Sequence, residues 1–497
     1  MILIFSAAWG APVNIAAAPA PQPPRCGTVD LAQWASTQMP GAAERWLHDF
    51  SHGSRVARHR GLLPPPGTAL EARDPYAVTN VHESDHFAIR WGSEGDVNTN
   101  DVAVFSEMFE ASHDILIDTL GYPWPNGPYK FNVYIGDTGS DGIPPLPGTI
   151  NYTWVDSEEW PMIVIDAEYF RDDDYVSMFP PHELFHGIQF GTETMIDLVG
   201  IDHRVLWYME ASAHWSVREV TPENTYHDIF IIPFAYYPEL SISHWSQEQP
   251  GALRQYGAFS FIRHLTDRVV DRQLVHDSWV TATVGELPLD RIDRYLVDNG
   301  TTLDDEFLLF TAHVATWDHV QGDSFREWID GDLGWGDNHR PTAVVAGASG
   351  EWLAPDDHLP HTYGSNYWQL TDLPKDLTIS FEGDEGPQRW YAAFAQRTGD
   401  DHTRLALEMI GNNGELTLTD VPSADESWLV VTALDGHVDY GESFSYRLRL
   451  VDDEGQTDTA TPQSPREGGC GCNSAASTAP LLSLLFGLTA LTRRRRR

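Results

Sequence analysis

The spacing of apolar and polar residues changes once along the chain, near residue 362. Before that point, helical stripes alternate with short apolar runs. Residues 86–91 read as a strand, and 100–120 carry Phe105, Met108, Phe109, Leu116 and Leu120 on one helical stripe with Gly121 as the stop. Residues 130–135 read as a second strand, and 162–166 form an apolar run expected of a buried one. A helix is expected to start near Pro180-Pro181, because proline is tolerated in the first turn, and to end at Gly191. Further helices are expected at about 202–218, 252–268, 289–298 and 303–317, the last capped by Thr301 or Thr302. Residues 331–362 are rich in Gly, Asp and Pro and read as a linker. Beyond them the period becomes two. Short strands recur at about 365–370, 377–382, 389–396, 404–410, 415–419, 427–433 and 444–451, which predicts a β-sandwich. The expected fold class is therefore an α+β domain over 81–330, a linker, and an all-β sandwich domain over 363–453.

Length and charge narrow the function. A chain of 497 residues has room for two or three domains. With 73 acidic and 31 basic residues the net charge is −42, which repels nucleic acid and anionic membrane surfaces, so no nucleic-acid partner is expected. Cys26, Cys470 and Cys472 are the only cysteines, so the body between them needs no disulfide. Residues 1–26 join a short apolar run to Ala- and Pro-rich sequence, as an export signal or leader would, although no Lys or Arg precedes the run. Residues 27–80 read as an N-terminal extension or pro-segment, with a basic run at 55–60. Residues 136–142 form an acidic, turn-rich loop that could bind Ca2+ but lacks a full ligand set at loop spacing, and a plain turn explains it as well.

The chemistry gathers at His182-Glu183-Leu184-Phe185-His186. Residues four apart share a helix face, so the imidazoles of His182 and His186 can grip one metal ion. Glu183 lies beside the first ligand, placed as a general base for a water that Zn2+ would acidify from a pKa of ~15.7 to ~7. An HExxH motif on a helix that follows a buried strand resembles the zincin metallopeptidases. A third His six residues after the second, with Gly at 189, would mark the metzincins, but Gln189 and Thr192 stand there. The next helix offers Glu210, followed by Ala211 and Ala213, which leave room for close approach. This resembles the gluzincin type and implies His182, His186 and Glu210 as metal ligands. Asp202 and His203 are rival third ligands. His214 stands where gluzincins often carry an Asp, so it is either an outer-shell partner of a ligand or a surface histidine. The resemblance also implies a donor to the oxyanion from a later helix. Tyr256 is the candidate, with core packing as the rival explanation.

The tail over 454–497 joins a polar linker, a patch with Cys470 and Cys472, an apolar stretch at 479–492 and five arginines at 493–497. The apolar stretch is short for a membrane span, which needs ~20 residues. This pattern resembles the C-terminal sorting signals of myxobacterial surface proteins. It implies a sorting protease and the membrane as partners during export, with the protein left at the cell surface, on the outer membrane or outside the cell. The expected function is an exported, surface-attached zinc metallopeptidase acting on a protein or peptide substrate. The alternatives are a non-catalytic adhesion or binding protein on a degenerate scaffold, and a zinc hydrolase with a non-peptide substrate.

Overall fold

The computed structural model describes residues 68–139, 151–192 apart from 157 and 159, 203–246, 251–330 apart from 252 and 284, 342, 345–346, 351–434 and 442–451. The leader at 1–26, the extension up to residue 67 and the tail at 454–497 lie outside the described residues, as do 140–142 of the acidic loop.

The first half carries a five-stranded sheet. Its strands are β1 (Asn80–Glu83), β2 (Phe87–Trp91), β3 (Phe131–Gly136), β4 (Asn151–Val155) and β5 (Pro161–Asp166), in the order β1-β2-β3-β5-β4. β2, β3 and β5 run parallel, while β1 and β4 are antiparallel to their neighbours and form the two edges. The parallel strands are apolar runs buried almost throughout, as a sheet covered on both faces requires. The stripe at 100–120 becomes helix α1 (Thr99–His113), which then widens into a π-helical turn, Asp114–Thr119. A short α2 (Asp173–Val176) leads into α3 (Phe179–Phe190), where Pro180 and Pro181 occupy the first turn.

All twelve residues of α3 are buried. It approaches β3 closely at Gly187, where a Cβ would stand 2.6 Å from the Phe131 ring. Next comes α4 (His203–Val220), which packs along α3 with Ala211 and Ala213 fully buried and the Ser216 hydroxyl donating to the Pro181 carbonyl at 3.0 Å. Among the described residues the further α-helices are α5 (Ile231–Tyr236), α6 (Arg254–Gly257), α7 (Phe259–His264), α8 (Gln273–Val280), α9 (Pro288–Asp298), α10 (Leu303–Thr316) and α11 (Gly322–Asp330). Thr302 caps α10, accepting from the Asp305 amide. The single helix expected over 252–268 is broken at Ala258 and ends in a π turn, Leu265–Val269. Two local causes act there. Gly257 lies so close to the Phe230 carbonyl that a Cβ would stand 2.2 Å from its oxygen, and the Ser260 hydroxyl takes the Gly257 carbonyl at 2.9 Å. No helix among the described residues is long and apolar enough to cross a membrane.

The C-terminal region is rich in β-structure. It contains β6 (Val345–Ala346), β7 (Trp352–Leu353), β8 (Gly364–Gln369), β9 (Leu377–Gly383), β10 (Arg389–Thr398), β11 (Asp401–Met409), β12 (Asn413–Leu418), β13 (Glu426–Leu434) and β14 (Tyr446–Val451). The seven strands expected from the period of two are all present, with ends displaced by no more than three residues. Among the described residues two sheets form, β11-β10-β13 and β12-β9-β14-β7-β6. Trp390, Phe394 and Val431 of one sheet share a core with Ile379, Phe381 and Leu448 of the other, a sandwich arrangement. β8 runs beside β13, tied at its ends by Tyr363 N–H to the Ala433 carbonyl and Leu370 N–H to the Ser427 carbonyl, both 2.9 Å. Within the span read as linker, β6 and β7 belong to the five-stranded sheet. Two-residue strands are too short to show a period, which is why the sequence pattern hides them. Helix α10 packs against β10, β11 and β13, and its Asp304 pairs with Arg389 and accepts from the Tyr363 hydroxyl at 2.6 Å.

Candidate metal centre

Helix geometry places His182 and His186 on one face of α3, and the antiparallel return of α4 brings Glu210 to the same point. The two Nε2 atoms are 3.0 Å apart, and each is 3.4 Å from Glu210 Oε2. All three side chains are buried, His182 at 3% exposure and the other two at 0%. Neither Glu210 carboxylate oxygen has a hydrogen-bond partner, although Oε2 faces the two Nε2 atoms. Orphaned polar atoms in a buried site are costly unless something binds them. A four-coordinate zinc with bonds of 2.0–2.1 Å holds its ligands about 3.3 Å apart. The convergent donors, two imidazoles and a carboxylate, therefore fit Zn2+ in separation and in chemistry. Burial alone would push the Glu210 carboxyl up, but the His186 and His182 imidazoles outweigh it and hold it below the usual carboxylate range.

The other expected residues gather around this point. Glu183 lies beside His182, with Oε1 4.0 Å from His182 Nε2. Its carboxylate is held by the edge strand β4. Asn151 Nδ2 donates to Oε1 at 2.5 Å and Thr153 Oγ1 donates to Oε2 at 2.7 Å. His214, one turn beyond Glu210 on α4, is 2% exposed, so the surface reading of this residue is corrected. Its ring centroid lies 4.6 Å from that of His182 and 5.1 Å from that of Tyr256. Burial, reinforced by the neighbouring histidines His182, His227 and His186, keeps His214 well below its ordinary value and hence neutral at pH 7. Tyr256 on α6 is buried against His214 and Phe230, with its ring 6.4 Å from that of His182. It thus packs in the core and also borders the site. Of the rival ligands, Asp202 and the side chain of His203 lie outside the described residues.

Three residues of the site were not found from the sequence. In the sequence Gln189 marks only the departure from the metzincin pattern. In the structure its Oε1 meets His186 Nδ1 at 2.8 Å, while its Nε2 donates to the Met209 carbonyl and to Ser212 Oγ, both at 3.0 Å. The bond to Met209 fixes which end of the amide faces the imidazole. His186 must then carry its proton on Nδ1, which turns the Nε2 lone pair toward Glu210 and His182. The usable signal was the i,i+3 spacing of His186 and Gln189. Asn151 and Thr153 stand in a short run, 151–155, whose aromatic and β-branched residues suit a strand, but five residues are too few to show its period.

A family model, the family of unknown function DUF6055, matches residues 67–435. No curated protein and no solved structure matches the chain. The family match spans the five-stranded sheet, the helices that carry His182, Glu183, His186 and Glu210, and most of the sandwich, and the chain belongs to the DUF6055 family.

Proposed function

We propose that this protein is a zinc-dependent hydrolase of the zincin type, a metallopeptidase that uses His182, His186 and Glu210 as ligands and Glu183 as general base. The observation that carries the reading is the convergence of these four buried side chains from two packed helices, with both Nε2 atoms and Glu210 Oε2 at ligand spacing. When bound, zinc would supply Lewis-acid polarisation of a carbonyl and a more acidic water. Glu183 takes a proton from the attacking water and returns it to the leaving amine. Asn151 and Thr153 hold the two carboxylate oxygens and so fix the direction in which Glu183 presents itself. Both residues sit on β4, the edge of the sheet beyond β5. An extended peptide that adds to this edge as a further strand would run past Glu183, which is why a peptide is the substrate proposed. Gln189 orients His186, and Tyr256 is the proposed hydrogen-bond donor to the developing oxyanion. The leader and the sorting-like tail make the proposed setting exported and surface-attached.

A non-catalytic binding role is the second reading, and one observation favours it. The ligands and Glu183 are at most 3% exposed, and two protein donors already occupy the Glu183 carboxylate, as in a closed site. Glu183→Gln separates the two. The hydrolase reading expects peptide cleavage to fall by about 10²- to 10⁴-fold while bound zinc is kept. Equal cleavage by variant and wild type would dismiss Glu183 as the base. No cleavage by either, on a broad peptide library, would favour the binding role.

A further inference from the structure

We infer that His113, Asp114 and Asp118 form a second divalent-cation site on the wide turn at the end of α1. The turn itself makes the site. After His113 the backbone is π-helical, with the Leu120 amide bonded to the Ile115 carbonyl at 2.9 Å. A widened turn of this kind brings residues five apart onto one face, which an α-helix does not do. His113 Nδ1 consequently faces both carboxylates, 3.8 Å from Asp114 Oδ1 and 3.9 Å from Asp118 Oδ2. The three donor atoms lie within 4.8 Å of one another.

The imidazole is what distinguishes this cluster from ordinary surface acids. His113 is 5% exposed, yet its Nδ1 has no hydrogen-bond partner. An unmet buried nitrogen costs free energy that a cation shared with two carboxylates would offset. The ring is also fixed from behind. His86 stacks on it with centroids 3.5 Å apart and planes 13° apart, and His86 is itself tied to Glu110 at 2.6 Å. Trp124 meets the His113 ring edge-on at 5.3 Å. The nitrogen is thus preorganised, while the two carboxylates, whose side chains are 71% and 67% exposed, are free to close by rotamer changes.

One imidazole with two carboxylates suits zinc, manganese or a neighbouring first-row ion rather than calcium, which takes oxygen ligands. The site's consequence is mechanical. The chain leaving the turn places Tyr122 edge-on against Phe185 of α3, with centroids 5.2 Å apart, next to the ligand His186. A cation that holds the turn would stiffen the support behind the HExxH helix. The inference stands independently of the proposed hydrolase activity.

The test is zinc per chain in the full-length protein after stripping with chelator and reloading with Zn2+ alone, compared among wild type, Asp118→Asn and His113→Ala. Asp118 is exposed, so its variant keeps the fold and decides the matter if His113→Ala does not fold. The expected result is one ion fewer, or at least about a tenfold weaker second binding event, in each variant. Stoichiometry and affinity equal to wild type in Asp118→Asn would overturn the inference. A Glu210→Ala control reads the first centre separately, so failure of one site is not mistaken for failure of the other.

Discussion

Replacing Gln189 with leucine removes the group that orients His186 while leaving all the proposed ligands in place. The Met209 carbonyl remains in a helix, and Ser212 Oγ keeps its bonds to the Tyr208 carbonyl and Trp279 Nε1. The group left without a partner is His186 Nδ1, fully buried. An unpaired buried donor costs about 1–3 kcal/mol. With the tautomer and ring angle of His186 no longer set, zinc affinity should fall by about 10- to 100-fold, the usual effect of losing an outer partner. That corresponds to about 1.4–2.7 kcal/mol. The assay is competition with a chelator of known affinity, run beside a thermal melt to separate metal loss from unfolding. Gln189→Glu keeps an oxygen facing His186 but sets its other oxygen against the Met209 carbonyl to which the amide donated, so it should recover only part of the affinity lost in the leucine variant. If Gln189→Leu binds zinc as tightly as wild type, the orientation of His186 does not depend on Gln189 and the argument fails.

Two further predictions follow from the same packing. Tyr256→Phe should lower turnover by about 10²-fold with zinc content unchanged, as expected for an oxyanion donor; unchanged turnover would leave Tyr256 a packing residue. The second concerns acid. His264, His313 and His319 cluster with ring centroids 5.3–6.3 Å apart, beside Arg268, Arg404, Glu306 and Asp318. Burial chiefly, together with the neighbouring positive charges, holds all three below the ordinary histidine value, although Glu306 and Asp318 work the other way. The unfolded chain therefore binds more protons than the native state. Stability is fully present above about pH 6.5 and falls as pH drops below it. Thermal melts at neutral and acidic pH should show a smaller acid loss in His319→Phe than in wild type, and equal losses would exclude the cluster as the cause.

The parts of this protein legible from sequence are those written in short, rigid spacings. HExxH states its geometry within five residues, and Glu210 followed by Ala211 and Ala213 marks a close helix approach that the structure contains. Of the sandwich strands, β9, β12 and β14 are legible because buried and outward positions alternate along them, while β8, β10 and β13 are legible as short apolar and aromatic runs bounded by turn residues. What was missed depends on pairing or on irregular backbone. β4 acquires its role only by lying antiparallel to β5, which brings Asn151 and Thr153 onto Glu183 from thirty or more residues away. Gln189 acts through one hydrogen bond that no composition or period reveals. The break at Ala258 follows from a close approach to Phe230, a tertiary fact. His113 and Asp118, five apart, lie off any shared α-helical face, and only the π turn brings them together.

Zinc content of the purified protein tests the central claim most directly. Wild type and Glu210→Ala would be passed through metal-free buffer and analysed for metal per folded chain, with circular dichroism to confirm the fold. About one tightly held zinc is expected at this centre in wild type, because three convergent buried protein ligands with a fourth position left for water are the set of a catalytic zinc, and its loss is expected in the variant. A well-folded wild type that holds no zinc under these conditions, or a Glu210→Ala variant that holds as much as wild type, would contradict it.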